Sequence, residues 1–316
     1  MAFNARTPRT PHSPVSTATH EQPAANPSTP PAPPAPTASA PSASPALDRR
    51  IDRLREVAAA EPRLTGVLLY GSWTVGEADA YSDIEAYLYV ADDAVADFDA
   101  RAFVERIAPL HLAYTNAYGV FAVVFDDLMR GEFHFTAAST GVAEIASWQG
   151  LVHLPRPEAA VLLDRDGKLT EAARVLATFQ APEPAGTAQQ LSDELANWTL
   201  MLAHVLARGE TGRAHALLHT VVAPHQLQLC RLLRDTTAHW LTPSRAMESD
   251  LPPADLARYR ATTAPALLPE VRAAARQSWQ WTRELTTEAS TRWHTHLSPE
   301  LHEGIAKLLT QGEYEA

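Results

Sequence analysis

The hydrophobic periodicity of the chain changes near residue 168, and this change constrains the fold more than any other feature. Before it, apolar or alternating runs predict strands at residues 64–70, 83–90, 110–116, 120–125 and 131–135. After it, apolar residues recur at helical spacing, which predicts a series of helices that includes residues 254–262, 266–290 and 298–311. The sequence therefore predicts an α+β fold, in which an N-terminal domain with a mixed sheet and helices precedes an α-helical bundle.

The first 46 residues differ from the rest of the chain in composition. They contain 12 of the 25 prolines and a single aromatic residue, Phe3. Because so few large apolar groups cannot offset the entropy lost on ordering, we expect residues 1–46 to form a disordered tail. A helix is predicted to begin at Leu47. We place the boundary between the folded domains after residue 160, which gives domains at residues 47–160 and 161–316.

Charge, cysteine content and hydropathy exclude several classes of protein. The chain has 26 basic and 37 acidic side chains and a net charge of −11, which argues against a nucleic-acid backbone as its main partner. A single cysteine, Cys230, cannot form an internal disulfide. No run resembles the apolar part of a signal peptide or a membrane span, so we expect a cytoplasmic protein without a membrane partner.

Two short motifs at the start of the predicted sheet could bind a nucleotide and a metal ion. Gly71 and Ser72 follow an apolar strand, and such a turn leaves backbone N–H groups and a hydroxyl free for phosphate oxygens. Asp83 and Glu85 stand at positions i and i+2, which share a strand face, so both carboxylates can reach one Mg²⁺ ion. An ordinary turn and a solvated acidic face would give the same pattern, and the residue types alone leave both explanations open.

Two longer blocks extend this pattern and resemble a known family. Residues 70–77 with 81–85 (YGSWTVGE and YSDIE), and residues 125–135 (FDDLMRGEFHF), resemble the DNA polymerase β-type nucleotidyltransferases. More narrowly, they resemble the bacterial lincosamide nucleotidyltransferases, and the resemblance covers most of residues 48–312. Val75 departs from a basic residue found in some relatives. Arg130 and Arg208 are therefore candidates for the cation that would hold the triphosphate.

The resemblance implies a specific reaction and a role for each motif residue. An adenylyl group would pass from ATP to a hydroxyl of a lincosamide antibiotic, with release of pyrophosphate. Asp83 and Glu85 would be the Mg²⁺ ligands, Glu132 the general base, and Gly71 with Ser72 the nucleotide-binding turn. His134, on the same strand face as Glu132, is predicted to support the strand. The helical domain would supply the acceptor pocket and a homodimer interface.

Three other interpretations remain open at this point. The acceptor could be an aminoglycoside or another small hydroxylated metabolite. The enzyme could instead adenylylate a partner protein, although such enzymes are usually single small domains and this chain has a long helical half. A non-catalytic nucleotide-binding module would not be expected to keep Glu132 beside intact Asp83 and Glu85.

The helical half is rich in Leu, Ala and Trp, and Tyr87 shares the face of the metal ligands, so an apolar, aromatic pocket favours the lincosamide.

Overall fold

A single mixed sheet organises the N-terminal part of the chain. In the computed structural model, which describes residues 44–296 and 298–311, its strands lie in the order β3-β4-β5-β2-β1-β6. Their bounds are β1 (Leu64–Leu69), β2 (Ile84–Val90), β3 (Leu110–Thr115), β4 (Phe121–Phe125), β5 (Arg130–Ala137) and β6 (Val161–Asp164). β2 and β5 pair in parallel, and the other neighbours pair antiparallel. The predicted strands and the mixed α+β fold are therefore confirmed.

Helices connect the strands and then form the whole C-terminal part. The N-terminal helices are α1 (Pro45–Ala59), α2 (Ser72–Val75), α3 (Ala100–Glu105), α4 (Ala138–Glu144), α5 (Pro157–Ala160) and α6 (Lys168–Ala173). The C-terminal helices are α7 (Pro184–Ala207), α8 (Thr211–Leu217), α9 (Ala223–Leu233), α10 (Met247–Asp250), α11 (Pro253–Ala261), α12 (Leu268–Trp293) and α13 (Pro299–Gln311). None of these helices is long and apolar enough to span a bilayer, a statement limited to the described residues.

Helix α1 begins earlier than the sequence pattern predicts. Its first residue is Pro45 rather than Leu47, because the side chain of Ser44 accepts a hydrogen bond from the Leu47 amide and caps the helix. Proline suits the first helical position, where its missing N–H costs nothing. The predicted tail at residues 1–46 is therefore too long by three residues. Its remaining part, residues 1–43, lies outside the described residues.

The sheet also extends beyond the predicted domain boundary at residue 160. β6 pairs antiparallel with β1, and the contacts join Gly66 to Asp164 and Val67 to Leu163. Leu169 of α6 packs in one cluster with Leu68 and Tyr89 of the sheet. Because these residues follow position 160, the helical half begins only with α7.

Strand β1 lies at the centre of the N-terminal core. Val67 and Leu69 pack on one side of the sheet with α1, and Leu68 packs on the other side with Tyr89 and α6. This burial on both faces explains the nearly continuous apolar run of β1. The helical half has its own apolar core, formed mainly by α7, α9 and α12. The described residues all belong to one compact unit.

Candidate functional site

The turn between β1 and α2 requires glycine at its first position. Gly71 has φ +79° and ψ −158°, a conformation that side chains with a Cβ rarely adopt. A Cβ atom on Gly71 would lie 1.6 Å from Oε2 of Glu85. The predicted nucleotide-binding turn and a predicted metal ligand are therefore in direct contact. Ser72 begins α2 and is buried.

The three predicted acidic residues meet on one edge of the β2–β5 pair. Glu85 and Glu132 are partners in the parallel register, and Asp83 directly precedes β2 on the Glu85 face. The guanidinium of Arg130 joins two of them, with Nη1 at 3.2 Å from Oδ2 of Asp83 and Nη2 at 2.8 Å from Oε1 of Glu132. Arg130 was one of the two cations suggested by the sequence, and the structure places it among the acids.

Aromatic side chains continue the same face of the sheet beyond the acids. The rings of Tyr87 and His134 stack with centroids 4.1 Å apart, and Trp148 lies 4.5 Å from Tyr87. The hydroxyl of Tyr70 is 2.9 Å from Nε2 of His134. Burial lowers the pKa of His134, so the neutral ring can accept a hydrogen bond from the Tyr70 hydroxyl. His134 thus contacts Tyr87 and Tyr70, and its supporting role stays a prediction.

The helical half is similar to a known family of domains. Residues 185–309 match the family described as lincosamide nucleotidyltransferase-like, C-terminal domain. Residues 185–309 are therefore similar to the C-terminal domains of lincosamide nucleotidyltransferase-like proteins. The resemblance first seen in the N-terminal motifs is thereby confirmed by an independent part of the chain. None of the curated proteins compared with the chain matches it significantly.

Two solved structures are similar to the chain at a lower level. One is an aminoglycoside 6-adenyltransferase from Bacillus subtilis, with 13% identity and a TM-score of 0.38 over 85% of this chain and 99% of that chain. Another is a nucleotidyltransferase-like protein from Exiguobacterium sibiricum 255-15, with 11% identity and a TM-score of 0.35 over 84% of this chain and 89% of that chain. Similarity at this level carries no conclusion on activity.

The acidic cluster has the chemistry of a site for a divalent cation. Burial, followed by the charges of Asp83 and Glu132, raises the pKa of Glu85 to about 7, and a cation bound between these carboxylates would favour their charged forms. No group of three or more His, Cys, Asp or Glu side chains in the described part of the chain could hold a metal ion by itself. Mg²⁺ commonly binds through only one or two carboxylates, with substrate phosphates and waters as the other ligands. Asp83 and Glu85 fit that kind of site.

The helical half also contributes side chains near the turn, and no pattern in the sequence pointed to them. Nη2 of Arg245 and Nε2 of His239 each lie 3.0 Å from Oε2 of Glu77, shortly after α2. Arg208, the other cation suggested by the sequence, follows α7. Within the described residues, Arg208 forms no ion pair with the three acids.

A separate groove lies entirely within the helical half. It has a volume of about 720 Å³ and is bounded by residues of α12 and α13, among them Trp279, Arg283 and Leu309. None of the motif residues borders it. Size alone does not identify an active site, so we assign the chemistry to the acidic cluster on the sheet.

Proposed function

We propose that this protein transfers the adenylyl group of ATP to a hydroxyl of a lincosamide antibiotic and releases pyrophosphate. One observation carries the proposal: Asp83, Glu85 and Glu132 converge beside the Gly71 turn. The same chain carries a C-terminal domain of the lincosamide nucleotidyltransferase-like family. Two carboxylates for a metal, one for a proton and a turn for phosphate are the parts that nucleotidyl transfer requires.

The donor would bind at the turn and the first two acids. Gly71 and Ser72 would face the phosphates of ATP through backbone N–H groups. Asp83 and Glu85 would hold Mg²⁺ together with phosphate oxygens. When bound, the metal polarises the phosphate and offsets the charge that develops on the leaving pyrophosphate. The close approach of Glu85 to Gly71 would hold the phosphate-binding turn and the metal site at a fixed distance from each other.

Glu132 would act as the general base. Its register partner is Glu85, so the proton acceptor lies next to the metal pair. In the reaction, the acceptor hydroxyl oxygen forms a bond to the α-phosphorus of ATP while its proton passes to Glu132. The bond from that phosphorus to the oxygen bridging to the β-phosphate breaks, and pyrophosphate leaves with the electron pair. Arg130, in contact with both Asp83 and Glu132, would orient the base.

The acceptor would lie along the aromatic side of the same sheet face. Tyr87 and Trp148 present an apolar surface next to Glu132, and His134 of β5 stacks on the ring of Tyr87. A lincosamide carries a sugar and an apolar propyl-proline part, which suits aromatic neighbours. An aminoglycoside carries several positive charges and would need further carboxylates there.

As the family resemblance implies, we propose a cytoplasmic homodimer.

Pyrophosphate release tests this function directly. The full chain is incubated with ATP and Mg²⁺, and with lincomycin, clindamycin or kanamycin as acceptor. We expect release with the two lincosamides that stops when EDTA removes the metal. Release with kanamycin but with neither lincosamide would indicate that the acceptor is an aminoglycoside. Tight ATP binding without release for any acceptor would favour a non-catalytic nucleotide-binding module.

A further inference from the structure

A buried arginine organises the segment that follows α9. The side chain of Arg231 is fully buried and donates to Oδ2 of Asp250 at 2.8 Å. It also donates to the backbone carbonyls of Pro243 at 2.8 Å and Thr236 at 3.0 Å, and to that of Arg245. A buried guanidinium satisfied in this way fixes the backbone around it, because each lost bond would leave a buried charge unpaired. The segment 236–250 therefore has a defined path.

This path brings two side chains of the segment to the donor turn. Arg245 and His239 both contact Oε2 of Glu77. The other ring nitrogen of His239, Nδ1, lies 2.7 Å from Oδ2 of Asp250, and this contact orients the ring. Glu77 is itself tied to the turn, since its amide donates to the carbonyl of Ser72 at 2.9 Å. Arg245 thus contacts Glu77, and Glu77 in turn is hydrogen-bonded to Ser72 of the turn proposed to bind phosphate.

We infer that Arg245 binds the β- and γ-phosphates of the nucleoside triphosphate, with Glu77 as its partner in the absence of the nucleotide. This inference rests on the proposed function and adds a donor-binding residue supplied by the helical domain. A guanidinium suits the task because it makes paired, charge-assisted hydrogen bonds with phosphate oxygens.

The charges around the turn favour this assignment over the alternatives. Val75 offers no cation within α2, and Arg130 is already engaged by Asp83 and Glu132. Arg245 pairs with Glu77 and, within the described residues, forms no ion pair with the three acids. An incoming triphosphate has more negative charge than Glu77 and would compete for Arg245.

Binding measurements with matched variants test the inference. Isothermal titration calorimetry on the full chain with Mg²⁺ present gives affinities for ATP, AMP and inorganic pyrophosphate. The variants are Arg245→Gln, Glu77→Gln and, as control, Arg258→Gln. Arg258 pairs with Glu284, and both ion pairs are similarly exposed, with side-chain exposures of 43%/42% for Arg258–Glu284 and 43%/39% for Arg245–Glu77. The control therefore removes a comparable surface charge pair outside the donor site.

We expect Arg245→Gln to weaken ATP and pyrophosphate binding by about tenfold or more, because a charge-assisted contact is lost. AMP, which lacks the outer phosphates, should bind as it does to the wild type. Glu77→Gln should bind pyrophosphate at least as tightly as the wild type, since a competing anion is removed. Arg258→Gln should leave all three affinities within about twofold.

Three results would overturn the inference. The first is wild-type pyrophosphate affinity in Arg245→Gln. The second is an equal loss of AMP and ATP binding in that variant, which would indicate a structural role. The third is a loss in Glu77→Gln as large as in Arg245→Gln, which would mean that the ion pair itself matters. If the wild-type chain bound neither ATP nor pyrophosphate, the proposed function would fail as well, so the two failures are distinguishable.

Discussion

Glu85 and Glu132 are direct partners in the parallel register of β2 and β5. The two residues belong to separate sequence blocks, and the sheet brings their side chains onto one face. A proposed metal ligand and a proposed general base thus depend on the same strand pair. Any change that shifts this register by one residue would move one carboxylate to the opposite face of the sheet.

The metal pair can be tested by removing charge while keeping shape. Asp83→Asn or Glu85→Gln should reduce turnover by a thousandfold or more, on the order of 4 kcal/mol in the activation free energy, because Mg²⁺ loses a charged ligand. Steady-state kinetics measures the effect, and circular dichroism checks that the fold persists. Asp93→Asn, an exposed acid beyond the other end of β2, serves as the control. Near wild-type turnover in either site variant would disprove the assignment.

The base is tested by an isosteric change at Glu132. Glu132→Gln should lower kcat by about 10²- to 10⁴-fold, because no group then accepts the hydroxyl proton. ATP affinity should stay close to that of the wild type. A collapse of ATP affinity instead would assign Glu132 to the metal site and place the base elsewhere.

Two glycines with positive φ flank α2 and can be compared. Gly71 and Gly76 have φ of +79° and +78°, but an added Cβ meets Glu85 only at Gly71 and open space at Gly76. Alanine should cost about 1–2 kcal/mol of stability at Gly76, roughly the strain of a left-handed conformation. The cost should be larger at Gly71, whose ψ of −158° lies in a region nearly restricted to glycine. Only Gly71→Ala should abolish turnover, since it displaces the Glu85 carboxylate. Equal activities of the two variants would contradict the contact between the turn and the metal ligand.

The one cysteine reports on the integrity of the helical core. Burial raises the pKa of Cys230 to about 12, so almost no thiolate forms in the native protein at neutral pH. We expect no reaction with a thiol reagent such as DTNB under native conditions. One thiol per chain should react after unfolding in urea. Rapid reaction of the native protein would show that the core around α9 opens readily.

Much of the fold and of the acidic cluster could be predicted because both are encoded locally. Alternation along residues 83–90 predicted a strand with Asp83, Glu85 and Tyr87 on one face, and the structure has this arrangement. The periodicity of the C-terminal half predicted helices that the structure places within a few residues of their expected bounds. These patterns depend on residues two to four positions apart, and the sequence displays them directly.

Other features depend on tertiary pairing and could not be predicted. β6 has only four residues, and its pairing with β1 is decided by packing rather than by its own pattern. The approach of His239 to Glu77 joins residues 162 positions apart. It results from how Arg231 folds the 236–250 segment, and no periodicity encodes that path.

Mass spectrometry of the acceptor after reaction tests the central claim most directly. The full chain is incubated with ATP, Mg²⁺ and an equal mixture of lincomycin and kanamycin, with Glu132→Gln as a parallel sample. We predict that lincomycin gains the mass of one adenylyl group, that kanamycin stays unchanged, and that the variant modifies neither within the same time. Adenylylated kanamycin beside unmodified lincomycin would contradict the account.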